Sequence, residues 1–262
     1  MRQQDTGLYR QEYEHDACGI GMLVNLKCDK SHSLVDNALT VLENMKHRGA
    51  EAADNKSGDG AGILLQIPHE FILLQGIPVP ERLKYGTGLV FLPKDQALAD
   101  SYLDIIRQET EKAGLELFHI REVPVNSDVL GDASARTEPK ILQIFITGAR
   151  EVQKFETELY LLRKHIERRI DDRDFYIVSL SNRVIVYKGM VTSNQLREYY
   201  PDLGSPRKRA GFRAIGPREG LLPYHPAGNE RQRVLRQRAG VLCTFGSEPA
   251  SRSGYDGTGI IQ

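Results

Sequence analysis

The order of its periodicities constrains this chain more than any other feature. Apolar runs of strand character occur at 18–26 (CGIGMLVNL), 62–68 (GILLQIP), 85–93 (YGTGLVFLP), 115–125 (LELFHIREVPV) and 139–148 (PKILQIFITG). The run 174–189 (DFYIVSLSNRVIVYKG) alternates about a central SLSN and reads as a hairpin. Helical spacing interrupts these runs irregularly. One helix is predicted from Leu34, Ala38, Val41, Leu42 and Met45, with Ser33 as N-cap, Asp36 in the capping-box position and Gly49 as stop. Others are predicted over 95–113, ending at Gly114, and over 151–170, where Phe155, Leu159, Leu162, Ile166 and Ile170 share a face. A capped helix in TSNQLREYYPDL would be stopped by Pro201. Strands that do not alternate regularly with helices favour an α+β fold over a doubly wound parallel sheet.

Past residue 204 the periodicity fails. Residues 205–262 hold nine Arg and one Lys against four acidic residues, with no sustained period of 2 or 3.6. Only 230–239 offers a short helix, and with little apolar face. The whole chain nevertheless balances 35 basic against 35 acidic residues over 262 positions, which favours neither a nucleic-acid nor a membrane-surface protein. No apolar run approaches the ~20 residues of a membrane span. The first 17 residues are polar and lack the apolar centre of a secretory signal. Cys18, Cys28 and Cys243 are too far apart for a disulfide framework or a CxxC metal pair, and a cytosolic, reducing setting fits them.

Cys18 stands between a polar lead-in and a glycine-studded strand. A nucleophilic thiol needs a base and room for substrate, and Gly19 would let a substrate approach the sulfur. If the chain were cut before Cys18, the new α-amine, of ordinary pKa ~8, could serve as that base. Buried packing is the other reading of a lone cysteine in an apolar run. His15 and Asp16 need not face Cys18, because strand neighbours alternate sides. His47-Arg48-Gly49 reads as a helix C-terminus or as support for a site. The loop SGDGAG (57–62) lacks the Gly-Lys-Ser/Thr ending of a phosphate loop, and Asp59 within it is a turn former or a pocket residue.

Cys18-Gly19-Ile20-Gly21, followed by ALTVLENMKHRGAEAADNKSGDGAGILLQIP, resembles the start of class II glutamine amidotransferases. GLVFLP, EPKILQIFI and FYIVSLSNRVIVYKGMVTSNQLREYYPDL narrow the likeness to the N-terminal glutaminase domain of glutamate synthase large chains, over about residues 10–204. The YKGM and YYPDL stretches argue against amidotransferases that make phosphoribosylamine or amino sugars. The resemblance implies an N-terminal nucleophile hydrolase with an αββα sandwich. It assigns 1–17 as a propeptide-like leader, 18–204 as a partial amidotransferase domain and 205–262 as a tail outside the family. Cys18 would be the catalytic nucleophile, with Arg48, Gly49 and Asp59 supporting the glutamine site. FMN and an iron–sulfur cluster are implied for the complete enzyme, but no cofactor or metal in these residues. The implied partners are glutamine, the synthase domains and a small subunit, with no membrane or nucleic acid.

After YYPDL the family continues with an HSRFST-type segment that grips the glutamine carboxylate, then an HNGEI-type segment that supplies the oxyanion hole. Neither HSR nor Asn-Gly occurs after residue 204. The tail has the composition of a shifted reading frame, so the expectation is a sandwich incomplete at its C-terminal side, with exposed strand edges and little or no glutaminase activity. The competing expectation is a non-catalytic interaction protein, partnering other synthase subunits or binding nucleic acid through its basic tail.

Overall fold

The computed structural model describes residues 19–26, 31–49, 51–52, 54, 56–148, 151–204 and, as backbone, 240–245. In chain order the elements are β1 (Gly19–Val24), α1 (His32–Asn44), a 3₁₀ turn (Lys46–Arg48), β2 (Ala61–Gln66), α2 (His69–Leu74), β3 (Gly86–Leu92) and α3 (Gln96–Lys112). They continue with β4 (Glu116–Glu122), α4 (Asp132–Arg136), β5 (Lys140–Thr147), α5 (Val152–Arg169), β6 (Tyr176–Ile177) and β7 (Val184–Gly189). The short helices α6 (Leu196–Tyr199) and α7 (Pro201–Gly204) follow, and β8 (Gly240–Phe245) is last.

The strands form two four-stranded antiparallel sheets, ordered β1-β8-β2-β7 and β4-β5-β3-β6. This is the α+β class that the irregular order of periodicities predicts. The second sheet is buried on both faces at its centre. Ile141 and Phe145 of β5 belong to one apolar core, while Leu142, Ile144 and Ile146 belong to the other. The period of two thus divides one strand between two cores. The second core is closed by Ala99 and Ile106 of α3 and by Phe155, Leu159, Leu162 and Ile166 of α5, the face predicted for α5. The first core gathers α1, α2, the inward side of β2 and β7, and Tyr199, Tyr200 and Leu203.

Several local expectations need correction. The predicted hairpin at 174–189 is a crossover, since β6 pairs with β3 in one sheet and β7 with β2 in the other. Serines make the crossing possible: Ser181 exchanges backbone hydrogen bonds with Thr87, and its Oγ accepts from the Arg183 and Val184 amides at 3.0 and 3.2 Å. Ser179 Oγ accepts from the Val186 amide at 3.1 Å, so hydroxyls take the place of ladder partners. Helix α1 is capped at Ser31, and Asp36 hydrogen-bonds His32 Nδ1 and Arg197 instead of closing a capping box. Its buried residues are His32, Val35, Ala38, Leu39 and Leu42, which leaves Leu34, Val41 and Met45 at the margin of the predicted face. Gly49 follows the 3₁₀ turn at φ −100°, so no left-handed stop is used there, whereas Gly114 ends α3 at φ +71°. Pro201 opens α7, where its missing N–H costs nothing. Within the run 18–26 the strand covers Gly19–Val24, and it is not a fully buried one, because Ile20 and Met22 are 61% and 70% exposed. The tail supplies β8, a strand the aperiodic sequence does not predict. Residues 230–239, Cys28 and the leader lie outside the described residues.

Candidate active site

Strand register brings three separate segments to one end of the first sheet. Gly19 and Ala61 both align with Phe245, and Ala61 aligns with Gly189. β1 and β2 both run antiparallel to β8 and are therefore parallel to each other. Their N-terminal ends lie side by side, about 10 Å apart at two strand spacings. The start of β1, the loop before β2 and the turn after β7 consequently share one rim.

The loop before β2 is held rigidly. The Asp54 carboxylate accepts from the Ser57 amide at 2.7 Å, the Ser57 hydroxyl at 2.6 Å and the Lys56 amide at 3.0 Å. These bonds, the Ser57 hydroxyl foremost, hold the Asp54 carboxyl well below the usual carboxylate range. Ser57 Oγ in turn accepts from the Ser134 amide at 3.3 Å, which fixes the loop to α4. Close approaches demand glycine nearby: a Cβ on Gly58 would lie 2.5 Å from the Thr192 nitrogen, and one on Gly131 would lie 2.5 Å from Ser57. Gly60 has φ +126°, which only glycine adopts readily. Gln195 ties the rim together. Its amide donates to the carbonyls of Lys56 at 2.9 Å and Val129 at 2.6 Å, and its Oε1 accepts from the Thr192 amide at 2.8 Å.

The 3₁₀ turn joins the same rim. Glu51 bridges to Gly58, the Ala52 amide donates to the Ser57 carbonyl at 2.9 Å, and Lys46 pairs with Glu51 at 2.9 Å. Of the predicted site residues, Gly49 and Asp59 are half-buried and lie on either side of this bridge. The Arg48 backbone ends the 3₁₀ turn. Cys18 lies outside the described residues, and its chain neighbour Gly19 opens β1 in register with the loop. Sequence reasoning missed Asp54, Ser57, Gly131, Thr192 and Gln195. The Asp-x-x-Ser spacing at 54–57 is a readable turn signal. Gln195 has none, because its loop partners lie 139 and 66 residues away.

The rim sets a hydrogen-bonded loop beside a strand start, and a preorganised setting of that kind suits a reacting group held at the sheet end. Among the described residues no three His, Cys, Asp or Glu side chains are grouped to hold a metal. Among the described residues no helix is long and apolar enough to cross a membrane.

The family model for glutamine amidotransferases class-II matches residues 18–216, beginning at Cys18. The chain is 41% identical over 214 residues to the NADH glutamate synthase of Saccharomyces cerevisiae, an alignment covering 75% of this chain and 10% of that protein. It is 38% identical over 204 residues to the NADPH glutamate synthase large chain of Bacillus subtilis, covering 75% of this chain and 13% of the relative. With ferredoxin-dependent glutamate synthase 1 of Arabidopsis thaliana it shares 40% over 213 residues, 78% of this chain and 13% of that one. The match thus spans between about a tenth and a seventh of the length of these curated relatives. A family match over three quarters of the sequence, and identities near 40% to several glutamate synthases, make this chain a member of the class II glutamine amidotransferases.

Proposed function

We propose that the chain is the glutaminase part of a glutamate synthase, with Cys18 as its nucleophile. The observation that carries this reading is the coincidence of two independent starts. The family match begins at Cys18, and β1 begins one residue later on the rim that holds the 57–60 loop. Removal of residues 1–17 would free the Cys18 α-amine. That amine, through a water, takes the thiol proton as sulfur attacks the side-chain carbonyl carbon of glutamine. Collapse of the tetrahedral intermediate breaks the carbon–nitrogen bond, and the proton leaves with ammonia. Water then hydrolyses the γ-glutamyl thioester to glutamate. Arg48, Gly49 and Asp59 would line the glutamine site, and the 18–204 region would adopt the αββα sandwich. Two features support that sandwich: α3 and α5 close one face of the second sheet, and α1 lies against β1, where a Cβ on Gly21 would meet Val41 at 2.6 Å. In the complete enzyme, ammonia would pass to synthase domains that carry FMN and an iron–sulfur cluster and reductively aminate 2-oxoglutarate. A small subunit and a cytoplasmic setting belong to the same proposal.

Turnover by this chain should be close to background. One oxyanion-hole donor is worth about 10²–10³-fold in rate, and residues 205–262 contain neither the Asn-Gly nor the HSR segment. The test is glutamate release from glutamine by the purified chain and by Cys18→Ala. A second pair of proteins carries the Bacillus subtilis segment that follows YYPDL in place of 205–262. The expected result is activity only in the chimera with Cys18 intact. Hydrolysis that survives Cys18→Ala in the chimera would sink the nucleophile assignment, and turnover by the chain itself would overturn its inactivity.

A further inference from the structure

The structure assigns a function to residues 240–245, a segment beyond the family match at 18–216. We infer that β8 is an internally donated strand that docks β1, the strand adjoining Cys18, onto the rest of the fold. Among the described residues of the first sheet β1 pairs with β8 alone, and β8 pairs on its other side with β2. All six residues of β1 align with β8, from Gly19 with Phe245 to Val24 with Gly240. β2 contributes four further pairs, Ala61 with Phe245 through Leu64 with Leu242. Without β8, the described ladder would leave β1 with no strand partner, held to the fold only by its packing against α1, and β2 with an open edge.

The acceptor slot has a recognisable chemistry. Three of its positions are glycine in register with larger residues of the donor: Gly19 opposite Phe245, Gly21 opposite Cys243 and Gly62 opposite Thr244. The glycines cannot readily be filled from within. A Cβ on Gly21 would lie 2.6 Å from Val41 of α1, and one on Gly62 would lie 2.9 Å from Lys188 of β7. The slot therefore takes an extended segment whose backbone pairs along both edges, as GVLCTF does. Such a strand also covers what would otherwise be two open edges beside exposed Ile20 and Met22. Residues 240–245 are thus a structural part of the first sheet.

Hydrogen exchange of the full chain tests this directly. Leu242 aligns with both Met22 and Leu64, so Leu242→Pro removes a ladder donor from the middle of a central strand. The amides of 19–24 and 61–66 should then exchange at least about tenfold faster, with 86–92 and 140–147 unchanged. Leu242→Thr keeps the ladder and should exchange as the parent does. A synthetic peptide of residues 238–247, added in excess to the Leu242→Pro chain, should restore protection to 19–24, whether the loss was local or global. Unchanged exchange at 19–24 in Leu242→Pro, or loss that the peptide does not reverse, would overturn the inference. Protection in the parent chain that disappears on dilution would assign the strand to a second copy and overturn the internal donation.

Discussion

Arg121 reaches from β4 to α7 and grips Asp202 through two hydrogen bonds of 2.7 and 2.8 Å. Only 12% and 5% of the two side chains is exposed, and Gln143 and the Tyr187 hydroxyl extend the network. Truncating one partner strands a charge in the interior, which typically costs about 3–5 kcal/mol. Arg121→Ala should therefore lower the unfolding free energy by about 3 kcal/mol in urea titration. Exchanging both partners for apolar residues, as in Arg121→Met with Asp202→Leu, should recover much of that loss. The tyrosines around the pair give a second residue-scale prediction. Burial pushes the Tyr187 hydroxyl up to about 12 and raises Tyr85, Tyr199 and Tyr200 as well. An unfolded tyrosine loses its proton near ~10, before these do, so their contribution is complete below that pH and disappears as pH rises toward 12. Absorbance at the phenolate band should show them ionising only as the chain unfolds in alkali. Phenolate growth to the full complement of the chain's 11 tyrosines before loss of near-ultraviolet circular dichroism would contradict their burial.

At the scale of elements, the crossing between β6 and β7 decides how the two sheets are joined. Gly88 of β3 makes it possible, because a Cβ there would lie 1.5 Å from the Ser179 carbonyl oxygen. Gly88→Ala should destabilise by about 3 kcal/mol or more, the range reserved for changes the backbone itself must absorb. Gly76→Ala is the control: it has open space and a φ of +78°, so it should cost only about 1 kcal/mol. Thermal melts of the two variants should separate clearly, with Gly88→Ala the lower. The crossover also shows why the alternating pattern around SLSN misled. A hairpin and a sheet-to-sheet crossing present the same period of two, and they differ only in which strands receive the hydrogen bonds. α5 was legible because its four core positions lie within one helix at a fixed spacing. α6 was legible within TSNQLREYYPDL, whereas α7 was not, because Pro201 reads as a stop and instead opens the next helix.

At the scale of the whole molecule, the sheets and their two cores place the candidate site at a sheet end and not inside a cavity of one element. The site was legible in part. The bridge of Glu51 to Gly58 joins the segments that follow Gly49 and precede Asp59, and the glycine-rich loop at the strand end carries its own turn signals. The staples that hold that rim were not legible, since Gln195 acts on carbonyls far away in sequence. Gln195→Ala should release the Lys56 and Val129 carbonyls and speed exchange through 56–60, while 86–92 stays protected. Exchange in 56–60 unchanged from the parent would show that Asp54 and Ser57 hold the loop alone. By itself the sequence determined the α+β class, most strand and helix spans and the family, because periodicity and motif spacing are local properties of the chain. Only the tertiary structure decided which strands pair, that 174–189 joins two sheets, and that GVLCTF stands between β1 and β2. Those choices depend on contacts between residues distant in sequence, which compete for the same backbone hydrogen bonds and buried space.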